Sequence, residues 1–124
     1  YIAGIIDGDG AIMALIDKDR IRVEVALYNN CHDVLVLMKN TFKFGNIYRH
    51  KWNIKTNTGS LIVLEKIKPY LLVKSKQCDL AIQLINTNNI ELKKQLASDI
   101  SNLNIRSRKR NFLSTKQSDF YNQN

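Results

Sequence analysis

Tyr1-Ile2-Ala3-Gly4-Ile5-Ile6-Asp7-Gly8-Asp9-Gly10 is the stretch on which the reading of the whole sequence turns. Its apolar residues have helical spacing: Ile2 and Ile6 share one face, with Ile5 beside them. Gly4 and Gly8 are four apart, and Ala3 is small. Each glycine costs a helix about 1 kcal/mol relative to alanine. Two at this spacing clear one face of side chains and let a second helix approach to backbone contact. Asp7 and Asp9 fall at the C-terminal end of the helix, where the macrodipole is negative and carboxylates are disfavoured. A bound cation would reverse that penalty. Gly10 reads as a left-handed stop. For Asp7-Gly8-Asp9-Gly10 alone, an amphipathic helix closed by a turn is a sufficient account; the full ten residues carry more.

After this helix, residues 10–17 are apolar and suit a strand, and Lys18-Asp19 marks a tight turn. Residues 20–28 alternate, with Ile21, Val23, Val25 and Leu27 on one face and Arg20, Arg22, Glu24, Ala26 and Tyr28 on the other. The two segments form a hairpin. Asn29-Asn30 caps a helix over residues 31–42, with Val34, Leu35, Leu37 and Met38 as its core stripe. Residues 46–50 and 51–56 read as a second, shorter hairpin. Ile47, Trp52 and Ile54 point inward there, and Asn46, Tyr48, His50, Lys51, Asn53 and Lys55 outward. Residues 57–60 form a loop and cap, and residues 61–68 a helix with Leu61, Leu64 and Ile67 inward. Pro69 ends or kinks it. Residues 75–86 follow as a helix with Leu80, Ala81, Leu84 and Ile85 inward. Residues 90–103 form another through Leu92, Leu96, Ile100 and Leu103. The order predicts an α+β domain over residues 1–103: one four-stranded antiparallel sheet with helices on one face and the first helix at its edge. Residues 104–124 read as a basic and polar tail.

The chain has 124 residues, enough for one domain with one core. Its net charge is +8, which points to a polyanion, nucleic acid before membrane. No apolar run is long enough to span a bilayer, and no signal-peptide pattern is present. The sequence does not begin with Met, so residues before Tyr1 are expected. Cys31 and Cys78 have no metal-binding spacing and read as free thiols in a reducing compartment. Neither His32 nor His50 has ligand spacing with them. Abundant Ile, Asn and Lys suggest an AT-rich genome, and hence an organelle, mitochondrion or chloroplast.

The nine residues from Ile2 to Gly10 resemble the signature of the LAGLIDADG homing endonucleases, with Ile for Leu and Gly for Ala, substitutions that family uses. The order of elements agrees with the family out to about Asn86. The resemblance implies a curved sheet lying in the DNA major groove and a signature helix at the interface between two domains. Tyr1, Gly4, Ile5 and Gly8 then face the partner. A chain with one signature supplies half an active site, so it implies a homodimer on a long pseudo-palindromic duplex, or one half of a two-motif protein.

The resemblance also implies site roles. Asp9 is the metal-binding acid, with the backbone carbonyl of Gly8 beside it, for Mg²⁺ or Mn²⁺. Asp7 stabilises the turn. Lys74, with Lys76 as its alternative, is the basic residue near the scissile phosphate. Asn29 stands where a polar residue orders the attacking water, although Gln is the usual residue there. The activity implied is Mg²⁺-dependent hydrolysis of both DNA strands. A relative that binds nucleic acid without cutting, such as an RNA-splicing maturase, is the alternative.

The free sheet face would carry the DNA-binding residues. These are Arg20, Arg22, Glu24, Tyr28, Asn46, Tyr48, His50, Lys51, Asn53 and Lys55, with Lys76 nearby. Arginine can read guanine and asparagine adenine in the major groove. Ala11, Met13 and Leu15 share that face and are apolar, which argues against base reading by the first strand. Arg106, Arg108, Lys109 and Arg110 are candidates for phosphate contacts.

Overall fold

The computed structural model describes the backbone of residues 1–18 and 20–122, and side chains as far as residue 106. In it, α1 (Ile2–Asp9) runs straight into β1 (Gly10–Asp17). Gly10 joins them in an extended conformation, φ −90° and ψ 173°, and not as the left-handed stop expected from the sequence. Space is the reason for glycine there. A Cβ would lie 2.7 Å from the Ile6 carbonyl oxygen and 2.9 Å from Ile6 Cγ2.

β1 pairs antiparallel with β2 (Arg20–Tyr28), opposing Met13 to Glu24 and Leu15 to Arg22. β2 pairs with β4 (Lys51–Ile54), and β4 with β3 (Asn46–Tyr48), giving the order β1-β2-β4-β3. β1, which α1 feeds, is therefore an edge strand. The inward face read from the sequence holds, although Glu24 and Ala26 on the other face of β2 are buried as well. Ile12, Val23, Val25, Leu27, Trp52 and Ile54 are all buried, and α2 (His32–Phe42), α3 (Asn57–Ile67), α4 (Ser75–Asn86) and α5 (Ile90–Asn122) complete the core with them. The fold is the expected α+β one, an open four-stranded antiparallel sheet with helices.

The second hairpin is shorter than its sequence suggested, because Arg49 takes a left-handed conformation (φ 54°) and turns the chain after Tyr48. Its lead-in is also tightly built. Gly45 has φ +93°, and a Cβ there would come within 2.5 Å of Trp52 Nε1. That indole nitrogen donates to the Phe44 carbonyl at 3.1 Å, and the Trp52 ring stacks on Phe42 with centroids 5.9 Å apart.

α3 starts at Asn57, four residues before the start expected. The Thr56 hydroxyl caps it by accepting from Gly59 N–H. β2 outruns β4, and the early start of α3 serves the uncovered edge. Asn57 Oδ1 accepts from Val23 N–H at 2.9 Å, and Ser60 Oγ donates to Val23 O at 2.9 Å. Lone backbone groups are thus satisfied by two side chains instead of a strand.

The helical stripes shift by a residue or so from those expected. α2 begins after Cys31, and buries Leu35, Met38 and Phe42 while Leu37 is exposed. α5 buries Leu96, Ala97 and Ile100 while Leu92 is exposed. α5 also continues past Leu103, where an end was expected. Asn104 Nδ2 donates to Ile12 O at 2.9 Å and ties the helix to β1. The side chains of Arg108, Lys109 and Arg110 lie outside the described residues.

Candidate functional site

The two acids that end α1 have different surroundings. Asp7 is compensated within the chain. Its carboxylate accepts from three successive backbone N–H groups, Leu72 at 2.7 Å, Val73 at 3.2 Å and Lys74 at 3.0 Å. These groups immediately precede α4, whose N-terminal end is the favourable place for a negative charge. Asp9 gains far less. It is exposed, and among the described residues its carboxylate meets only Asn29 Nδ2, at 3.3 Å. The electrostatic cost visible in the sequence is therefore met at Asp7 and left open at Asp9.

Lys74 lies against this helix end. Its Nζ donates to the backbone carbonyl of Asp7 at 2.6 Å. Burial lowers the amine's pKa below its ordinary value, and the nearby charges of Asp7 and Asp9 oppose that shift. Lys76, the alternative, faces elsewhere. It is exposed and lines a cleft of about 700 Å³ with Leu72, Val73, Gln77, Leu103 and Arg106.

Asn29 is held at both ends of its amide. Nδ2 reaches Asp9, and Oδ1 accepts from Cys31 N–H at 2.8 Å. Because β2 ends next to α1, the Asn29 side chain, shorter than a Gln by one methylene, still reaches Asp9. His50 joins this site because its carbonyl accepts from Asn29 N–H at 2.9 Å, which brings the β3–β4 turn to the end of β2. Asp9, Tyr28, Asn29, Asn30 and His50 line one open hollow of about 350 Å³. His50, placed by sequence on the outer sheet face, thus borders Asp9.

The donors at Asp9 are oxygens, a carboxylate and the carbonyls of a helix C-terminus, which suits a hard divalent cation. Among the described residues no three His, Cys, Asp or Glu side chains converge to hold a metal. The face of α1 beyond Asp9 is open. Gly4 and Gly8 are exposed, Tyr1 is 90% exposed, Ile5 is partly exposed, and a Cβ on either glycine would meet nothing within 4 Å.

The sheet face away from the core divides in two. At its centre Glu24 and Asn53 do not stand open as expected: they are buried, with Asn53 Nδ2 donating to Glu24 Oε1 at 2.9 Å. Lys51 pairs with the same oxygen at 3.1 Å and lies 5.3 Å over the Tyr28 ring. Partial burial works against the Lys51 charge, but its bonds to Glu24 and Tyr28 outweigh that and raise its pKa. Cross-strand pairing makes this network: Tyr28 opposes Lys51, and Ala26, small and buried, opposes Asn53. Around it Tyr28, Asn46, Tyr48, His50 and Lys55 are exposed, and Arg49 stacks over Tyr48 at 5.3 Å. Ala11, Met13 and Leu15 do lie on this face, in register with Ala26, Glu24 and Arg22.

At the far end of β2 a groove of about 500 Å³ gathers Arg20, Arg22 and Lys55 with Lys93 of α5. No carboxylate pairs with any of the four among the described residues. Lys93 was not singled out from the sequence, because its helix gives no sign that its first turn reaches β2. Arg49 was missed for a similar reason: it looked like a residue of the strand.

An open antiparallel sheet, a glycine-faced helix leading into its edge strand and an exposed aspartate at that helix's end define a class. Fold and signature together are those of the LAGLIDADG homing endonucleases, with one signature in this chain. The homing endonuclease I-CvuI, in complex with the I-CreI target in the presence of Mg with the DNA not cleaved, is 25% identical. The match covers 82% of this chain and 78% of that one with a TM-score of 0.73. The archaeal intron-encoded homing endonuclease I-Vdi141I, complexed with DNA, shares the fold at 17% identity, 83% and 81% coverage and a TM-score of 0.69. The LAGLIDADG meganuclease I-AabMI, bound to uncleaved DNA, shares it at 22% identity and a TM-score of 0.65, with 82% of this chain matching 42% of that one. No protein-family sequence model matches the chain, and no curated protein does.

Proposed function

We propose that this chain is a subunit of a homodimeric, site-specific DNA endonuclease that uses a divalent metal, Mg²⁺ or Mn²⁺, to cut both strands of a pseudo-palindromic duplex. The observation that carries this reading is Asp9, an exposed carboxylate with a single long hydrogen bond, at the end of a helix whose glycine face is bare. Two copies of α1 in contact would bring two Asp9 side chains together and complete the donor set that one chain leaves partial.

Asp9 and the Gly8 carbonyl would hold the metal. When bound it activates water and steadies the leaving 3′ oxygen. The chain's own groups do the rest. Asn29 fixes the Asp9 carboxylate and borders the hollow where a water would sit. Lys74 adds positive charge at the scissile phosphate. Tyr28, Asn46, Tyr48, His50, Lys51 and Lys55 face the DNA, with Arg20 and Arg22 at the distal end. Glu24 and Asn53 support that face by fixing Lys51, and Lys76, Arg108, Lys109 and Arg110 are assigned to phosphates. The net charge of +8 favours such a partner. The DNA complexes of I-CvuI and I-Vdi141I support duplex DNA as that partner.

A second reading, a nucleic-acid binder that does not cut, draws on the apolar Ala11, Met13 and Leu15 of β1. One experiment separates the two. The protein is incubated with a library of intron-free genomic fragments and Mg²⁺, and new ends are sequenced. The endonuclease reading expects cuts at one defined sequence, lost in Asp9→Asn while binding to the recovered duplex persists. Undiminished cutting by Asp9→Asn at that Mg²⁺ concentration would refute the metal role of Asp9. Binding without any cutting by the native protein would favour the second reading.

A further inference from the structure

We infer that Asp7 is a positioning residue, a latch that fastens residues 72–74 to the end of α1 and thereby sets Lys74 beside Asp9. The inference rests on the endonuclease reading for its chemistry but on separate observations for its geometry.

Three hydrogen bonds join the Asp7 carboxylate to consecutive backbone N–H groups across more than sixty residues of sequence, the shortest at 2.7 Å. A fourth returns from Lys74 Nζ to the Asp7 carbonyl at 2.6 Å. The latched segment has little else to hold it. Leu72 is 87% exposed and Val73 63%, so neither anchors it by burial. Lys74 occupies the capping position of α4 and makes no side-chain cap there. The segment would thus be set by Leu71, which is buried, on one side and by α4 on the other, with Asp7 fixing what lies between. Turn stabilisation within the signature, the role expected from the sequence, does not describe these bonds. Asp7 acts on a distant segment, and the residue it places is Lys74, whose amine lies at the Asp7 carbonyl within reach of the charges of both acids.

Carboxylate geometry explains why a neutral replacement is not equivalent. Both Asp7 oxygens accept, one from Leu72 and the other from Val73 and Lys74. In Asp7→Asn one oxygen becomes an NH₂ donor facing backbone donors. The segment then loses one or two of its bonds, and Lys74 loses its defined place. Misplacement of a reacting group by about 1 Å can cost on the order of 10²-fold in rate without weakening substrate binding.

The test uses Asp7→Asn, Asp7→Ala, Lys74→Met and the double variant Asp7→Asn/Lys74→Met, on the duplex recovered in the cleavage selection. Asp7→Asn is expected to lower the cleavage rate at saturating duplex about 10²-fold while duplex Kd changes by less than about threefold. Asp7→Asn added to Lys74→Met should slow it no further, since a latch has no effect once the latched amine is gone. Amide hydrogen exchange in the free protein supplies a readout independent of activity. Exchange at residues 72–74 should rise in Asp7→Asn and Asp7→Ala while that of the β2 core is unchanged. Full cleavage by Asp7→Asn, multiplying losses in the double variant, or unchanged exchange at residues 72–74 would each overturn the inference. Loss of the whole fold in both Asp7 variants would also overturn it, in favour of a general structural role. If the native protein cuts nothing, the endonuclease reading fails, and the exchange measurement alone still decides whether the latch exists.

Discussion

Replacing Gly4 and Gly8 with alanine should make the isolated chain more stable and the assembled one less so. In one chain a Cβ at either position meets nothing within 4 Å, so there is no steric cost. Both residues lie within α1, and each Gly→Ala change should gain about 1 kcal/mol of helix propensity, less whatever α1 has already lost near its end. The pair together should therefore stabilise the monomer by about 1–2 kcal/mol, a rise in Tm of several degrees for a domain this size. If α1 packs on a second α1 through this face, two methyl groups per chain enter a contact built for none, and dimerisation weakens. The two effects separate by concentration. The Tm of a dimer rises with protein concentration, because assembly binds only the folded state. Thermal unfolding of native protein and of Gly4→Ala/Gly8→Ala should be measured across a hundredfold dilution series, with sedimentation at each end. The variant should melt higher when dilute and show a flat dependence on concentration; the native protein should show a rising one. A variant that is less stable when dilute would mean that the glycine face is covered within the chain. A variant with the native concentration dependence and full cleavage would show that this face is not the subunit contact.

Other expectations test separate parts of the structure. Arg22→Ala should weaken the recovered duplex by about 1–3 kcal/mol and a random duplex by much less if Arg22 reads a base, and both equally if it touches phosphate; paired titrations at one salt concentration decide. Lys93→Glu should weaken both duplexes alike and make the slope of log K against log salt shallower by about one phosphate contact or more; an unchanged slope would remove the distal groove from the DNA path. Gly45→Ala should cost about 3 kcal/mol in urea unfolding, because it combines a disfavoured φ of +93° with a Cβ only 2.5 Å from Trp52 Nε1. Burial pushes the Cys78 thiol from 9.0 up to about 11, so the stability it contributes is whole below pH 9 and falls as pH rises towards 11. Relative to Cys78→Ala, the native protein should lose on the order of 2–3 kcal/mol across that window, and equal pH profiles for the two would refute the assignment.

Local pattern carried most of the fold. α1, β1, β2 and α4 end where periodicity and turn residues put them, because each has an apolar face of its own period and a clear stop. Elements whose limits depend on a distant partner were not legible in this way. α3 begins at Asn57 because Val23 needs partners beyond the end of β4, and no residue near Asn57 records the length of β4. Glu24 and Asn53 looked like two polar residues on an open face. Their burial follows from strand pairing that places Lys51 and Asn53 against the same stretch of β2. Leu37 and Leu92 matched helical spacing as well as their buried neighbours did, and spacing alone cannot say which edge of a stripe meets the core.

The candidate site divides along the same line. That two acids at the end of α1 carry an electrostatic cost can be read from ten residues. Which acid is relieved cannot, since the relief comes from backbone groups at residues 72–74. Once that contact is seen, the roles separate on physical grounds. A carboxylate already accepting three N–H bonds has little capacity left for a cation, and displacing those bonds would leave backbone donors unpaired. An exposed carboxylate with one long bond to an amide can turn towards a metal at small cost. Under the proposed reading the two acids divide the work, Asp7 building the place for Lys74 and Asp9 lying beside it. On this reasoning Asp7→Asn and Asp9→Asn fail differently: the first in the placement of the Lys74 cation beside a proposed metal ligand that is intact, the second in that ligand itself. Raising the metal concentration should therefore restore part of the cleavage lost in Asp9→Asn, where affinity for the ion is reduced, and none of that lost in Asp7→Asn.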